Sequence, residues 1–547
     1  MNLEFCIMKT KYSWPVICCL LSVLLSLSSC GNSFLDIRST SADVLEDYYK
    51  TEEQIYKTLV GAYDPLQWSD YYGGYNQFMF LSDLRGDDIY VGGDKGSDNF
   101  FHQMQRFQMQ PIDAPRSFWE NMYTGVERCN TVIDNLPKVQ DIAPVVAERY
   151  EAEARFLRAW YYHWLWKFWG NVPYFDHVLE APYVADQVCA DTLYKRIMTD
   201  LDYCCSTSEG AYRMIDNPAE NEWGRATIHA AMMLRARVIL YQNDKTRFND
   251  VVNDMRRIIL SGYVLTPNYD SIWVKENEFI TVPGEHNLTE SIWEINHRSE
   301  SGSWSWPQGG EGTIFPKFIG INGLDGDPEY QDGWGFGPIR KAAYLAYDDD
   351  DQRRDASVID IQARKQMLMD SLGITISWAE RANHTGYYNK KYTARKGYNE
   401  CSYDPELNFN NNVRVFRFSE CLLNLAEVCV RTGRAAQGQP YFNQVRARAF
   451  RGEVYGAGSA HYVPLTMEAV MEERRLEFMG EGHRFWDLVR WSHADDVNCD
   501  ISAILSGTDE IGNYSRTWND NWKWLPIPSL EIDRTEGAHQ LKQNPGY

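Results

Sequence analysis

The chain has 547 residues, 44% of them hydrophobic and 14% aromatic, and carries a formal net charge of -22. The length and apolar share indicate a globular protein with a large core, and the acidic balance argues against nucleic acid, whose phosphates require Lys and Arg in excess on some face. The 19 Trp and 34 Tyr exceed what a core ordinarily uses, and amphipathic rings are favoured where a surface binds something.

At the N-terminus, Lys9 and Lys11 precede an apolar run at 14–27 and then Leu27-Ser28-Ser29-Cys30. This order predicts a lipoprotein signal peptide over 1–29, with Cys30 becoming the acylated first residue and the membrane anchor. Residues 33–41 follow as a tether, and 51–63 as a first helix with Glu52 and Glu53 in its opening turn. Residues 67–110 show no sustained helical period and are rich in rings and glycines, so they are expected to be loops. Tyr72, Tyr75, Tyr90 and Asn99 in this stretch are candidate ligand residues. Helical periodicity returns over 117–136, 145–168, 192–205, 227–241 and 249–260, and Gly170-Asn171-Val172-Pro173 ends the second of these. The stretch 30–262 therefore reads as an N-terminal helical region.

Residues 263–412 read as a long, irregular, loop-rich insertion, with a helix expected over 356–370. Trp304, Trp306 and Trp334 stand among its glycines, where no regular element requires them. Flat rings beside Asn, Asp and Gln match the apolar faces and hydroxyl rims of sugars, so these three complete the candidate ligand set. Asp348-Asp349-Asp350-Asp351 reads as a solvated turn, and Asp325-Gly326-Asp327-Pro328-Glu329 resembles a calcium loop without its full spacing. No metal site, phosphate cradle or nucleophile elbow is found, so no cofactor is predicted. The eight cysteines beyond Cys30 lack a metal spacing and are expected to be buried free thiols.

From Val413 the apolar residues alternate and then shift to helical spacing, giving a helical hairpin broken at Thr432-Gly433-Arg434 within the segment 413–491. Ala426, Cys429, Gly438, Phe442 and Val445 fall where a tetratricopeptide unit needs small or apolar residues at the helix crossing. Thr466 caps a further helix that carries Glu472, Glu473, Arg474, Arg475, Glu477 and Glu481. These charges are expected to be structural ion pairs with Arg484 and Asp487 rather than an acid/base pair. The fold class is mainly α: tetratricopeptide-like hairpins stacked into one superhelical scaffold, with the insertion packed on it.

Several blocks together carry a family resemblance. Asn443-Gln444-Val445-Arg446-Ala447-Arg448-Ala449, the Glu473-Arg474-Arg475 block, Arg484-Phe485-Trp486-Asp487-Leu488-Val489-Arg490, Leu525-Pro526-Ile527-Pro528 and Gln543-Asn544-Pro545-Gly546-Tyr547 resemble, in this order, the RagB/SusD family of glycan-binding outer-membrane lipoproteins. The resemblance covers essentially the whole mature chain, with 263–547 as its C-terminal region. It implies a nutrient-uptake role in polysaccharide utilisation: a cell-surface protein, not an enzyme, that binds oligosaccharide and partners a SusC-like TonB-dependent β-barrel transporter. Family ligand residues vary, so the seven named above rest on composition. An extracellular glycan-cleaving enzyme and a tetratricopeptide adaptor for protein or peptide remain the alternatives.

Overall fold

The computed structural model describes residues 48–68, 77–94, 99–216, 224–274, 290–299, 312–401, 404–451, 458–512, 514–535 and 537–547. Its longer helices are α1 (Glu52–Tyr63), α2 (Arg116–Asn135), α3 (Pro144–Trp169), α4 (Ala190–Cys204), α5 (Ile228–Gln242), α6 (Phe248–Leu260), α7 (Ile361–Leu372), α8 (Phe418–Arg431), α9 (Ala435–Ala449), α10 (Met467–Glu477) and α11 (Arg484–Ser492). From α1 to α6 each helix packs on the next, and α6 packs directly on α8, which pairs with α9. The helical array is thus continuous across the insertion, as expected for stacked hairpins that each bury a second face on a neighbour.

The helix starts follow local chemistry. Thr51 forms a reciprocal capping box with Gln54, and the hydroxyls of Thr227 and Thr466 accept from the N–H of Ala230 and Ala469. Close crossings use small residues. A Cβ on Gly438 would stand 2.7 Å from Cys429 Cβ and 3.3 Å from Ala426 Cα, so the α8–α9 approach requires the glycine. Gly170, at φ +68°, ends α3 against the Trp524 ring, which leaves no room for a side chain.

Short strands complete the core. β1 (Ser291–Ile295) pairs antiparallel with β4 (Val413–Arg417), and β2 (Val358–Asp360) with β3 (Tyr387–Asn389). β1 and β4 are buried along their whole length, and Trp293 of β1 meets Trp160 of α3 edge-on at 5.3 Å. Among the described residues ten tryptophans are buried, including Trp160, Trp169 and Trp491, so much of the aromatic content serves the core. Trp486 is one of them. Its Nε1–H donates to Ser82 Oγ at 2.7 Å and its ring meets Phe168 at 5.0 Å. Trp486→Ala is expected to cost roughly 3–5 kcal/mol of stability. A thermal melt checks this, with ligand affinity of the folded fraction unchanged.

Two expectations are corrected. The helix predicted over 356–370 is instead a short helix, Gln352–Ser357, then β2, then α7. Val358 and Ile359 suit a strand against β3, and the Asp360 carboxylate accepts from the N–H groups of Gln362 and Ala363, both at 3.0 Å, which starts a new helix. The stretch read as loops over 67–110 contains the helices Phe78–Asp83 and Asn99–Gln105, and Phe78, Phe80 and Phe101 are core residues.

Candidate functional site

The charged block on α10 is a buried ion-pair network and offers no acid/base pair. Arg417 donates to Glu290 at 2.5 Å, Glu477 at 2.9 Å and Glu481 at 2.8 Å. Arg448 bridges Glu290 and Glu477 at 2.7 and 2.6 Å, and Arg353 reaches Glu473 at 2.7 Å. Burial works to raise the Glu477 pKa, but Arg448, Arg417 and Arg353 outweigh it and hold the carboxyl far below its ordinary value. Burial pushes the Lys391 ammonium down to about 8 against the pull of Glu481, its partner at 2.7 Å. A carboxylate held ionised by several guanidiniums, as Glu477 is, cannot protonate a leaving group.

The same block fixes the early ring-rich segment. Arg474 pairs with Asp487 at 2.9 Å as expected. Arg475 and Arg484 reach further, to Asp88 at 2.7 Å and Asp87 at 2.7 Å. Burial acts upward on Asp87, yet Arg484 and Arg475 keep its pKa at about 2. Asp87 and Asp88 therefore dock the segment 77–94 on α10 and α11.

From there the segment meets the insertion. Ile89 bridges Ile339 and Gly92 bridges Phe336, and Gly92, at φ +71°, comes so near that a Cβ would stand 2.2 Å from Gly335 O. Phe80 contacts Phe101 at 5.3 Å and Phe318 at 4.9 Å, and Phe318 stacks on Phe336 at 4.0 Å. Gln67 donates to Asn296 O at 2.7 Å, bringing together the residues before 69–76 and those before 300–311. The described flanks of the two ring-rich stretches thus meet one another.

Trp334 lies there, half-buried, with its ring 6.4 Å from Phe318 and its backbone N–H donating to Lys317 O at 2.8 Å. Lys317 and Asp332 pair beside it at 2.8 Å, the former half-buried and the latter exposed. Sequence reading missed these two, since charges that far apart carry no signal until the bridge between Asn322 and Gly333 brings their stretches together. Asn99 opens the helix Asn99–Gln105. Tyr72, Tyr75, Trp304, Trp306 and Cys30 lie outside the described residues.

Tyr90 is a correction. It is fully buried, its ring lies 4.3 Å from the Arg340 guanidinium and 6.5 Å from Tyr514, and its N–H donates to Pro338 O. Nothing can stack on it. The glycines and aspartates around Ile89-Tyr90-Val91 suggested a loop, but this apolar triplet is sealed against 336–339. The oxygens of the calcium-like loop are taken up by arginines: Asp327 accepts from Nε and a terminal nitrogen of Arg364, both at 2.9 Å, and Glu329 pairs with Arg395 at 2.5 Å. Of the free cysteines, Cys129, Cys204, Cys205, Cys421 and Cys429 are buried, Cys401 and Cys499 are intermediate, and Cys189 is exposed.

Comparison with known proteins matches residues 33–240 to the family described as starch-binding, associating with outer membrane, and residues 289–547 to the SusD family. Surface glycan-binding protein A from Bacteroides fluxus is 39% identical, with 91% of this chain and 100% of that chain aligned at a TM-score of 0.79. Surface glycan-binding protein A from Bacteroides thetaiotaomicron, in complex with laminarihexaose, is 34% identical over 90% of this chain and 100% of that chain, with a TM-score of 0.80. A laminarin-binding SusD-like protein is 28% identical over 91% of this chain and 100% of that chain, with a TM-score of 0.75. By fold, by the two matched regions and by the level of identity, the chain belongs to the SusD/RagB family of outer-membrane glycan-binding proteins.

Proposed function

We propose that this chain is a cell-surface lipoprotein that captures a laminarin-type oligosaccharide and delivers it to a SusC-like TonB-dependent β-barrel. It is a binding protein rather than an enzyme. The observation that carries the reading is its likeness, along nearly the whole chain, to a surface glycan-binding protein solved with laminarihexaose. Trp334 is the described ring of the platform, and Tyr72, Tyr75, Asn99, Trp304 and Trp306 complete it from segments whose flanks meet one another. Rings of this kind cover the apolar faces of sugar residues while Asp332, Lys317 and neighbouring amides serve hydroxyls. A glycan array probed with the soluble mature chain tests the ligand class. Binding of laminarin-type glycans without release of new reducing ends supports the reading; recognition of protein or peptide alone removes it.

The anchor is tested separately. Attachment is assigned to acylated Cys30, on the lipoprotein-like order of residues that ends there. Cys30→Ser is expected to move the protein from the membrane fraction to the soluble one with its melting temperature unchanged. Retention on membranes after carbonate washing would exclude the acyl anchor.

A further inference from the structure

The run Asp348-Asp349-Asp350-Asp351 is more than a solvated turn. Its members alternate in fate. Asp349 pairs with Arg354 at 2.6 Å, and buried Asp351 takes Arg353 on both oxygens. Asp348 and Asp350 are exposed and pair with no Lys or Arg among the described residues. What meets them is an imidazole from the connection between α9 and α10: His461 Nε2 lies 3.0 Å from Asp350 Oδ2, and one ligand atom from each of Asp348, Asp350 and His461 lies within 4.8 Å of the others.

The imidazole is held in place. It stacks on Phe450 at 4.0 Å with the planes 10° apart, and the backbone carbonyl of His461 accepts from Nε and a terminal nitrogen of Arg446, both at 3.2 Å. Arg446 is itself tied to buried Glu473 at 2.6 Å. A cleft of about 280 Å³ opens at this point, lined by Asp350, Asp355, Phe450, Arg451 and His461, with exposed Arg451 on its rim.

We propose that Asp348, Asp350 and His461 form a divalent-cation site of the zinc class that clasps the insertion to the α9–α10 connection. One imidazole nitrogen and two carboxylate oxygens suit a borderline cation, with water completing the shell. Calcium is disfavoured, because it requires six to eight oxygens and the cluster offers two carboxylates. With metal–ligand distances of about 2.0–2.2 Å the three atoms must come within about 3.5 Å of one another. Asp348 and Asp350, both exposed, are free to close that gap while His461 stays fixed. The site could not be read from spacing, since its third ligand comes from a distant part of the chain.

The test is calorimetric titration of the chelator-treated mature chain with ZnCl2 and with CaCl2. One Zn2+ per chain is expected, with Ca2+ at least about tenfold weaker. His461→Ala and Asp350→Asn should each weaken Zn2+ binding by about tenfold or more, as loss of a ligand does. Asp348→Asn, which alters only an exposed side chain, should do the same, so the outcome does not rest on Phe450 packing. Asp349→Asn, at the arginine-paired carboxylate, should leave it unchanged. Absence of saturable Zn2+ binding, binding indifferent to all three ligand substitutions, or tighter binding of Ca2+ would overturn the proposal.

Discussion

Arg417→Met is expected to lower stability by roughly 3–5 kcal/mol, the cost of leaving buried charge without its partner. The side chain it replaces donates to three buried carboxylates, Glu290, Glu477 and Glu481. Methionine fills similar volume, so the loss reports the electrostatics rather than a cavity. Arg448, Lys391 and Arg353 still reach the cluster, but Arg353 is shared with Asp351 and Glu473, so the carboxylates outnumber their cations. The shift of the urea midpoint gives the magnitude, and an unchanged midpoint would show that the network is inert.

The pH dependence of the same protein has a determined sign. Glu477 has a folded pKa below its ordinary 4.5, and Asp87 is held at about 2 against an ordinary 3.8. Groups lowered in the folded state contribute stability that is complete above their unfolded values and is lost as pH falls through the folded ones. The share of stability that Glu477 and Asp87 contribute should therefore be complete above about pH 4.5 and be lost below that. In Arg417→Met the Glu477 carboxyl has one guanidinium fewer and a less depressed folded pKa, so its acid limb should start at the same pH but be shallower and end at higher pH. Coincident acid limbs would contradict the assignment of Arg417 to Glu477.

The second large effect concerns binding. Each ring stacked on a sugar contributes on the order of 1–3 kcal/mol by apolar burial and contact with the ring face. This is about five- to a hundredfold in affinity per ring, so alanine at Trp304, Trp306 and Trp334 together should abolish measurable binding. Trp334 also packs on Phe318, so its single variant is judged on the affinity of the folded fraction. Alanine at Tyr72 and Tyr75 should weaken the same ligand. Tyr90→Phe should not, because that ring is enclosed between Arg340 and Tyr514. If Tyr90→Phe weakens binding while the three tryptophan variants do not, the platform lies elsewhere.

What could be read in advance was local. Helix limits were legible because caps such as Thr227 and Thr466 act within one turn, and the α8–α9 hairpin because Ala426, Cys429 and Gly438 are neighbours on facing helices. What could not be read depended on distant partners. β1 completes the core only against β4, and Glu290 has meaning only beside Arg417 and Arg448. Val358 and Ile359 look helical until β3 pairs with them. The site was harder still, since composition locates rings without telling which are sealed. Phe78, Phe101 and Tyr90 went to the interior, whereas Trp334 remained at the surface of the insertion.

The central claim, that this chain captures oligosaccharide without altering it, is tested most directly by titrating laminarihexaose into the soluble mature chain in a calorimeter and recovering the sugar afterwards. Saturable binding, abolished in the Trp304, Trp306 and Trp334 triple variant, with the hexaose returned intact, is the result predicted. No heat of binding for laminarihexaose, or recovery of shortened products, would contradict it.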